Sequence, residues 1–289
     1  MKRLRSILKS FFKYTLYLAI SLLLALLIRL FVCNFYVVPS DSMEPEILPG
    51  DFILANKLTY GARIFTSLKF DRNSDPQLKR VSGFRSIRRN DVVVFNFPYR
   101  YNWDTIRMNL ESIFVKRCIG LPGDSVSTVG GYYHISGIAG AVGYLPGQEL
   151  MIHFYHTLDS TILRPYPFDS TLNWELKDFG PLYVPAAGTT IKLTPQNFIR
   201  YKQQMVYETD AEIRKEDTLV FINNHLATHY TFCNNWYFMA GDKAINSQDS
   251  RYIGFIPEAY IIGRASRVMT SKDPYTGKRR WNRTLKKIK

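Results

Sequence analysis

Cysteine is scarce in this sequence, and the residues that usually bind structural metals are not spaced in pairs. The 289 residues include three cysteines, Cys33, Cys118 and Cys233, and no Cys-x-x-Cys motif. A disulfide framework and a structural zinc site are therefore excluded, although a bridge between Cys118 and Cys233 stays possible. His225 and His229 lie four residues apart in a stretch with a β pattern, so we interpret them as surface histidines.

Acidic residues are also few in comparison with basic ones. The chain carries 38 Lys and Arg against 24 Asp and Glu, a formal net charge of +14. This balance predicts a polyanionic partner, either a nucleic acid or an anionic membrane. Much of the excess lies at the two ends, in Lys2, Arg3, Arg5, Lys9 and Lys13 and in Lys278, Arg279, Arg280, Arg283, Lys286, Lys287 and Lys289. Basic residues beside an apolar segment favour the membrane, and no helix-turn-helix, zinc or RNA-binding signature supports nucleic-acid binding.

The sequence has one long hydrophobic run and no second one. No charged residue interrupts it from Tyr14 to Ile28, and it extends to Cys33 if Arg29 snorkels towards the lipid headgroups. A cleaved secretory signal is the alternative, but bulky residues stand where its small-x-small cleavage site would lie. We predict an uncleaved anchor over residues 14–33. The positive charges of residues 1–13 predict a cytoplasmic N-terminus and an exported portion from residue 35 onward.

Beyond the anchor, short apolar runs alternate with turn signals. Segments such as "DFILANKL" and "DVVVFNFP" follow Pro-Gly and Arg-Asn pairs, a pattern typical of antiparallel, mostly-β folds. We predict a mostly-β fold whose core consists of residues 35–128 and 231–271. Residues 129–230 are predicted to form an inserted second β-rich lobe, with a short helix that opens after Pro195. For the basic tail, residues 272–289, contact with anionic lipid and disorder both stay open.

Two serines, Ser40 and Ser42, follow Pro39 directly after the anchor, in "VVPSDSMEPEILPGD". A turn explains them without any chemistry. A serine nucleophile needs a base, and none of the 5 histidines has neighbours resembling a triad motif. A neutral lysine can take that role, but at pH 7 the protein must offset roughly 4–5 kcal/mol to deprotonate it.

Burial among apolar side chains can supply that free energy, because desolvation disfavours an ammonium. Lys116 in "SIFVKRCIG" and Lys57 in "FILANKLTY" both stand in such surroundings. Each is also explained as a strand lysine whose ammonium reaches solvent. The residues alone therefore leave three alternatives open: Lys116 is the base, Lys57 is the base, or the serines have no base.

Four segments resemble, in the same order, the sequence blocks of bacterial type I signal peptidases. They are "PSDSMEPEILPGD", "RNDVVVF", "VKRCIGLPGDSV" and "GDKAINSQDSRYIGFIPEAYIIGRA". The resemblance implies a Ser/Lys dyad, in which Ser42 is the nucleophile and Lys116 is the general base. It also implies that Ser40 joins the Ser42 backbone N–H in the oxyanion hole. The positions that it implies orient the lysine or support the site are Ser247, Asp242, Asp249 and Arg251.

The resemblance also implies a substrate class and a location. Members of this family are serine endopeptidases of the bacterial cytoplasmic membrane that remove signal peptides from exported preproteins after small residues, of the Ala-x-Ala type. The positions that match their pocket walls are Val38, Pro39, Met43, Ile47, Phe114 and Val115. A Ser/Lys dyad needs neither a metal nor an organic cofactor, so we expect none. Secretory preproteins and membrane lipid are the expected partners, and a monomer is the expected state.

The sequence departs from the family pattern in two places. The third block, which usually reads "GDNRDNS", has Lys243, Ala244 and Ile245 in place of Asn, Arg and Asp, and Asp41 stands where a glycine is often found. A carboxylate at Asp41 disfavours an adjacent oxyanion if it points inward, and Lys243 is a candidate substitute for the lost arginine. The alternative function is therefore a weakened or non-catalytic paralogue that binds preproteins at the membrane.

Overall fold

The computed structural model describes residues 2–67, 74–160 and 162–289 of the chain, with side chains from residue 9 onward. Met1 and the side chains of Lys2, Arg3 and Arg5, which belong to the predicted basic N-terminus, lie outside this description.

The hydrophobic run forms one long helix that stands apart from the rest of the fold. Helix α1 spans Lys2–Leu27 and continues as a π-helical turn over Ile28–Val32. The stretch Lys9–Val32 is long and apolar enough to cross a bilayer, and its most apolar part is not buried against the protein. Strand β1 begins at Cys33, so the helical part ends one residue before the predicted boundary of the anchor.

Most of the remaining chain is β-structure centred on a seven-stranded antiparallel sheet. Its strands are β1 Cys33–Val37, β2 Asp51–Asn56, β5 Val92–Phe97, β6 Asn109–Gly120, β15 Trp236–Ala240, β16 Ile256–Pro257 and β17 Ile261–Ser271. They lie in the order β1-β2-β17-β5-β6-β15-β16, and neighbouring strands run antiparallel. The prediction of a mostly-β fold behind an N-terminal helix is confirmed.

Smaller antiparallel sheets and three further α-helices accompany the central sheet in the described residues. The additional strands are β3 Arg63–Phe65, β4 Leu78–Arg80, β7 Ser125–Val129, β8 Tyr132–Ile135, β9 Phe179–Tyr183, β10 Thr190–Lys192, β11 Ile213–Glu216, β12 Leu219–Ile222, β13 His225–Ala227 and β14 His229–Thr231. The additional helices are α2 Leu145–His153, α3 Pro195–Thr209 and α4 Ser250–Ile253. Helix α3 begins where the sequence predicts, because Thr194 accepts a capping hydrogen bond from Asn197 N.

Burial patterns explain why these segments form the central strands. Strand β2 alternates between buried and half-buried residues, as expected for a strand with one face on the core. Strand β5 is buried on both faces except at its last residue, and β6 is buried from Val115 to its end. A Cβ at Gly263 of β17 would lie 2.5 Å from the carbonyl oxygen of Asn56 in β2, so this strand pair needs a glycine there.

Side chains of the predicted core and of the predicted lobe pack into one hydrophobic cluster. Val93 and Phe95 of β5 belong to the same cluster as Tyr133 of β8 and Met205 of α3. A second cluster lies beneath the turn after β1 and contains Met43. The division into a core and an inserted lobe stays a prediction about sequence organisation, since in packing the two parts are continuous.

The cysteines and the two spaced histidines do not form sites. Cys118 is buried in β6 and Cys233 is exposed, and both are free thiols, so they do not form the bridge that the sequence left open. His225 and His229 are exposed in the short strands β13 and β14, as the sequence predicts.

The basic segment 272–289 folds back onto the central sheet. Lys287 forms a β-bridge with Arg267 of β17, and the side chain of Ile288 is fully buried. Arg283 forms an ion pair with the buried Asp51 at 2.5 Å. Of the two alternatives for this tail, disorder is therefore wrong, and contact with lipid stays a prediction.

Candidate active site

Ser42 lies in a turn of the loop that joins β1 to β2, and the ends of this loop are held together. Val38 N donates to Asp51 O at 2.9 Å, and Gly50 N donates to Val38 O at 2.8 Å. The side chain of Met43 is fully buried beneath the turn. Ser42 itself is 5% exposed. Its hydroxyl is therefore held at a fixed position on the wall of a cleft.

Lys116 reaches the hydroxyl of Ser42 from strand β6. Its Nζ donates a hydrogen bond to Ser42 Oγ at 2.5 Å, across 74 residues of sequence. Opposite Lys116 in the sheet lies Val93 of β5, and the ammonium lies 5.4 Å from the ring centre of Phe114. The lysine is only 4% exposed. The two residues that the family resemblance implies as a dyad are thus in direct contact.

Burial has the largest effect on the pKa of Lys116. It lowers the pKa of the ammonium from 10.5 to about 8. The carboxylates of Asp249, Asp242 and Asp41 act in the opposite direction because negative charge stabilises the ammonium. The guanidinium of Arg251 lowers the pKa further. A substantial fraction of Lys116 is therefore neutral near pH 8, which a general base requires.

Lys57, the other candidate base, has different partners. Its Nζ donates to the carbonyl oxygens of Arg29 at 2.7 Å and Leu30 at 3.3 Å, in the last turn of the N-terminal helix, where such acceptors are left over. Burial also lowers the pKa of Lys57 to about 8. The pKa therefore does not distinguish the two lysines, whereas contact with Ser42 does.

The two other serines of the predicted site, Ser40 and Ser247, differ in exposure and in their hydrogen-bond contacts. Ser40 Oγ lies 3.3 Å from Ser42 Oγ, and Ser40 is exposed at the rim of the cleft. Ser247 is buried, and its Oγ has no hydrogen bond of normal geometry with any described residue. The hydrogen bond between the Lys116 ammonium, as donor, and Ser247 Oγ that the resemblance implies is therefore not formed in this structure.

A buried ion pair fixes the segment that carries Ser247. Arg251 binds Asp249 through Nε to Oδ1 and Nη2 to Oδ2, both at 2.8 Å, and both side chains are fully buried. Asp249 also accepts a hydrogen bond from Gly241 N at 2.9 Å. Burial acts to raise the pKa of the Asp249 carboxyl, but Arg251 and, to a smaller extent, the neighbouring Ser247 hydroxyl lower it overall. The carboxyl therefore stays ionised beside Arg251.

Asp242 pairs with Arg117, a residue that the sequence analysis did not single out. Arg117 Nε and Nη2 each lie 2.6 Å from an Asp242 carboxylate oxygen. Burial raises the pKa of Asp242, and the Arg117 guanidinium opposes that rise. Arg117 follows Lys116 on the buried half of β6, and a charged residue in such a strand is the sequence signal that could have identified it.

The dyad opens onto a cleft of about 440 Å³. The predicted wall residues that line it are Val38, Pro39, Phe114 and Val115. Met43 and Ile47 do not line it, because both are fully buried beneath the turn, where they support it. The lining residues that the sequence analysis missed are Tyr36, Val37, Ile53, Val94, Ile113, Asn246 and Gln248. Most of these are apolar side chains of β1, β2, β5 and β6, whose facing could only be assigned once the strands were paired.

The two departures from the family pattern contact each other. Lys243 Nζ lies 2.5 Å from Asp41 Oδ2 and 2.9 Å from Glu44 Oε2. Asn246 Nδ2 donates to both carboxylate oxygens of Asp41, at 2.9 and 3.1 Å. The backbone N–H of Lys243 donates to Ser42 O at 3.0 Å. Asp41 is thus paired with a cation.

The groups gathered at the cleft suit nucleophilic chemistry. Within the described ranges, no cluster of His, Cys, Asp and Glu side chains could hold a metal ion. What faces the cleft is a hydroxyl in contact with a buried amine, with a second hydroxyl nearby. A hydroxyl and a base at this distance are the parts of an activated serine.

Comparisons with known proteins identify the family. The model described as "Signal peptidase, peptidase S26" matches residues 11–153 and 184–270. Signal peptidase I of Buchnera aphidicola subsp. Baizongia pistaciae is 29% identical over 263 residues, which cover 84% of this chain and 71% of that protein. Signal peptidase I of Rickettsia massiliae is 31% identical over 243 residues, 84% of this chain and 73% of that protein.

A solved signal peptidase I from Enterococcus faecalis V583 is 18% identical and covers 62% of this chain and 97% of its own. Its TM-score is 0.29. The family model, in contrast, matches well over half of the sequence and includes the Ser42 turn, β6 and the Asp249–Arg251 segment. The chain belongs to the signal peptidase family, peptidase S26.

Proposed function

We propose that this protein is a membrane-anchored serine endopeptidase that removes signal peptides from exported preproteins, with Ser42 as nucleophile and Lys116 as general base. The observation that carries the proposal is the 2.5 Å contact between Lys116 Nζ and Ser42 Oγ at the wall of the cleft. Family membership supports the reaction class, and curated relatives bear the name signal peptidase I.

In the proposed reaction, neutral Lys116 accepts the hydroxyl proton of Ser42 while Oγ attacks the carbonyl carbon of the scissile bond. The carbonyl oxygen becomes an oxyanion that accepts hydrogen bonds from the Ser42 backbone N–H and from Ser40 Oγ. Each such donor contributes about 3–4 kcal/mol to stabilising the transition state. Lys116 then passes the proton to the leaving amine, and the C–N bond breaks, leaving an ester on Ser42. Water hydrolyses the ester with Lys116 again acting as base.

Apolar side chains on the cleft wall support a preference for small residues before the cleaved bond. Val38, Phe114 and Val115 present aliphatic and aromatic surface to the cleft. Walls of this kind discriminate by shape, with about 1–3 kcal/mol for each methylene-sized misfit. We therefore propose that the substrates are secretory preproteins with cleavage sites of the Ala-x-Ala type.

The fold supports a cleavage site close to the membrane surface. Strand β1 begins at Cys33, directly after the helical segment that ends at Val32, and its residues Tyr36 and Val37 line the cleft. At about 3.3 Å per residue, the chain from Val32 to Ser42 spans at most roughly 35 Å. We propose that α1 anchors the protein in the bacterial cytoplasmic membrane, with the N-terminus inside and the cleft on the exported side. All proposed catalytic groups come from one chain, so a monomer suffices.

Cleavage of a precursor peptide with an Ala-x-Ala site by the detergent-solubilised protein tests the proposal. Wild type is compared with Ser42→Ala and Lys116→Ala between pH 6 and pH 10. We expect kcat/KM of the wild type to rise with pH through a single step near pH 8, where Lys116 loses its proton. Each substitution is expected to lower kcat by about 10⁴-fold or more, because the nucleophile and its base act as one unit.

Lys57→Met is the matched control, since Lys57 has a similarly low pKa but contacts the helix end instead of Ser42. It is expected to retain the activity and the pH profile of the wild type. Cleavage that survives Lys116→Ala would assign the base to another residue. A folded wild type that binds several precursors without cutting any of them would instead support the non-catalytic binding module.

A further inference from the structure

Asp41 is placed where an unpaired carboxylate would oppose the proposed reaction. It lies between Ser40 and Ser42, on the turn whose backbone and hydroxyl are proposed to bind the oxyanion. A free negative charge there would repel a developing oxyanion. It would also hold the Lys116 ammonium in its charged form, which cannot act as a base.

The structure gives this carboxylate two partners that come from the other end of the sequence. Lys243 Nζ lies 2.5 Å from Asp41 Oδ2 and 2.9 Å from Glu44 Oε2, so one ammonium bridges two carboxylates of the turn. The side chain of Asn246 binds the remaining face of the Asp41 carboxylate. The Lys243 backbone N–H, at 3.0 Å from Ser42 O, ties the same segment to the nucleophile itself.

We propose that Lys243 is a positioning residue for the Ser42–Lys116 dyad. Its ammonium neutralises Asp41 and Glu44, and its contacts hold the turn that carries Ser42 in the reactive arrangement. The inference rests on the proposed function of the dyad. Lys243 stands where the family pattern has an asparagine, and Asp41 where a glycine is often found. The two departures are thus a compensating pair, and neither is expected to function well without the other.

The charges around Lys116 show why this pair matters for the base. The carboxylates that face it belong to Asp41, Asp242 and Asp249. Asp242 is paired with Arg117, and Asp249 with Arg251, whose guanidinium also faces the lysine. The loss of the Lys243 ammonium would leave Asp41 as the one carboxylate of these three without a cation. The Lys116 ammonium would then be more stable, and the base would be neutral only at higher pH.

The test uses four variants of the full chain in detergent: Lys243→Met, Lys243→Arg, Asp41→Asn and the double variant Asp41→Asn/Lys243→Met. For Lys243→Met we expect kcat/KM at pH 7.5 to fall about tenfold, with the rising limb of the pH profile moved up by roughly 0.5–1 pH unit. Lys243→Arg keeps the charge and is expected to keep the profile. The double variant removes the cation together with its main anion and is expected to recover most of the rate and the original profile.

Two measurements separate this role from simple loss of structure. The melting temperature of Lys243→Met should fall by no more than about 3 °C, since the pair is partly exposed. Arg107→Met, which removes an ion pair with Asp210 at 2.7 Å outside the cleft, is the matched control and should leave the pH profile unchanged. A Lys243→Met variant that loses rate without moving the profile, or a double variant no better than the single one, would overturn the proposal.

A readout without substrate distinguishes failure of this inference from failure of the proposed function. Acetylation of Lys116 by acetic anhydride, followed by mass spectrometry across pH, reports the fraction of neutral amine. We expect the midpoint, the pH at which half of Lys116 is neutral, to be higher in Lys243→Met than in the wild type. In the double variant we expect this pH to return to the wild-type value. An inactive wild type that shows this shift would contradict the proposed function alone, whereas identical midpoints would contradict the role of Lys243.

Discussion

Lys116 is a residue at which the proposed catalytic role and the stability of the fold make opposite demands. Its side chain is 4% exposed, and its ammonium binds the neutral hydroxyl of Ser42, with no carboxylate of the described residues bonded to it. Buried charges are usually paired because removing them from water is costly. Burial lowers the pKa of Lys116 to about 8, and the same burial that would suit the amine to act as a base destabilises the folded protein whenever the amine is protonated.

Replacing Lys116 with methionine should therefore stabilise the protein in a pH-dependent way. The pKa is about 10.5 in the unfolded chain and about 8 in the folded one, so below pH 8 the folded state carries a cost on the order of 3 kcal/mol. Between pH 8 and pH 10.5 the folded lysine is already neutral, and the cost declines as the unfolded lysine also approaches its pKa. Above pH 10.5 both states are neutral and the cost disappears. Thermal unfolding in detergent should show a higher melting temperature for Lys116→Met at pH 7 and no difference above pH 10.5.

Lys278→Met is the control for this measurement, since Lys278 is exposed and its substitution should change the melting temperature little at any pH. A stabilisation by Lys116→Met of equal size at pH 7 and pH 11 would show that packing, and not the ammonium, is responsible.

At the scale of elements, the site is held by the segment that joins β15 to β17. A Cβ at Gly241 would lie 2.2 Å from Ser247 Oγ and 2.6 Å from Ser42 O, so only glycine lets this segment approach the turn that carries Ser42. Arg251 and Asp249 then lock it with two hydrogen bonds in a fully buried ion pair. The third sequence block is therefore a packing unit that fixes the far side of the cleft.

Arg251→Met tests that element. It leaves the Asp249 carboxylate buried without its cation, which typically costs 3–5 kcal/mol of folding free energy. We expect a large decrease in the melting temperature, and we expect Asp249→Asn in the same chain to restore part of it. Arg107→Met, which breaks the more exposed pair with Asp210, should cost no more than about 1 kcal/mol. Equal losses for the two arginine variants would mean that the buried pair is not structural.

At the scale of the whole molecule, the last residues of the chain support the turn that carries Ser42. Ile288 is fully buried in the same cluster as Met43 and Ile47. Arg283 donates to the Asp51 carboxylate, and Lys289 N donates to Glu46 Oε1 at 2.7 Å. The basic segment 272–289 thus packs across the loop between β1 and β2 and holds it against the sheet. We call this segment the C-terminal strap.

Ile288→Ala measures the contribution of this strap. Removing a fully buried isoleucine side chain costs about 2–5 kcal/mol through lost burial and the cavity left behind. We therefore expect a decrease of several degrees in the melting temperature, accompanied by lower proteolytic activity. Tyr275→Ala, in the same segment but at a side chain that is 90% exposed, should have almost no effect. Similar behaviour of the two variants would show that the segment is not packed in solution.

The proposed orientation across the membrane can be tested with a native cysteine. Cys233 is exposed and Cys118 is buried, so a membrane-impermeant maleimide should react with Cys233 alone in a Cys33→Ser background. Labelling in intact spheroplasts is expected, because the folded portion is proposed to lie on the exported side. A Ser6→Cys variant lacking Cys33 and Cys233 should react only after the membrane is opened. The reverse pattern would place the cleft in the cytoplasm.

Local sequence patterns were sufficient for the elements and for part of the site. The uncharged run from Tyr14 to Ile28 predicted α1, short apolar runs after turn signals predicted strands such as β2, and Pro195 marked the start of α3. These features depend on neighbours within one or two turns. The motif resemblance placed Ser42 and Lys116 in one site, and the structure brings them into contact. It also placed Met43 and Ile47 in the pocket wall, where the structure instead buries them.

The sequence by itself determined the long N-terminal helix, the mostly-β class and the short set of residues able to act as nucleophile or base, because each follows from residue types, apolar runs and turn signals along the chain. Composition and local surroundings left Lys57 and Lys116 both open as the base. The motif resemblance implied Lys116, and the tertiary structure brought the Nζ of Lys116, rather than that of Lys57, to Ser42 Oγ. It also decided that Asp41 is neutralised by Lys243, 202 residues away. Contacts over such separations depend on strand pairing and packing, which no local pattern specifies.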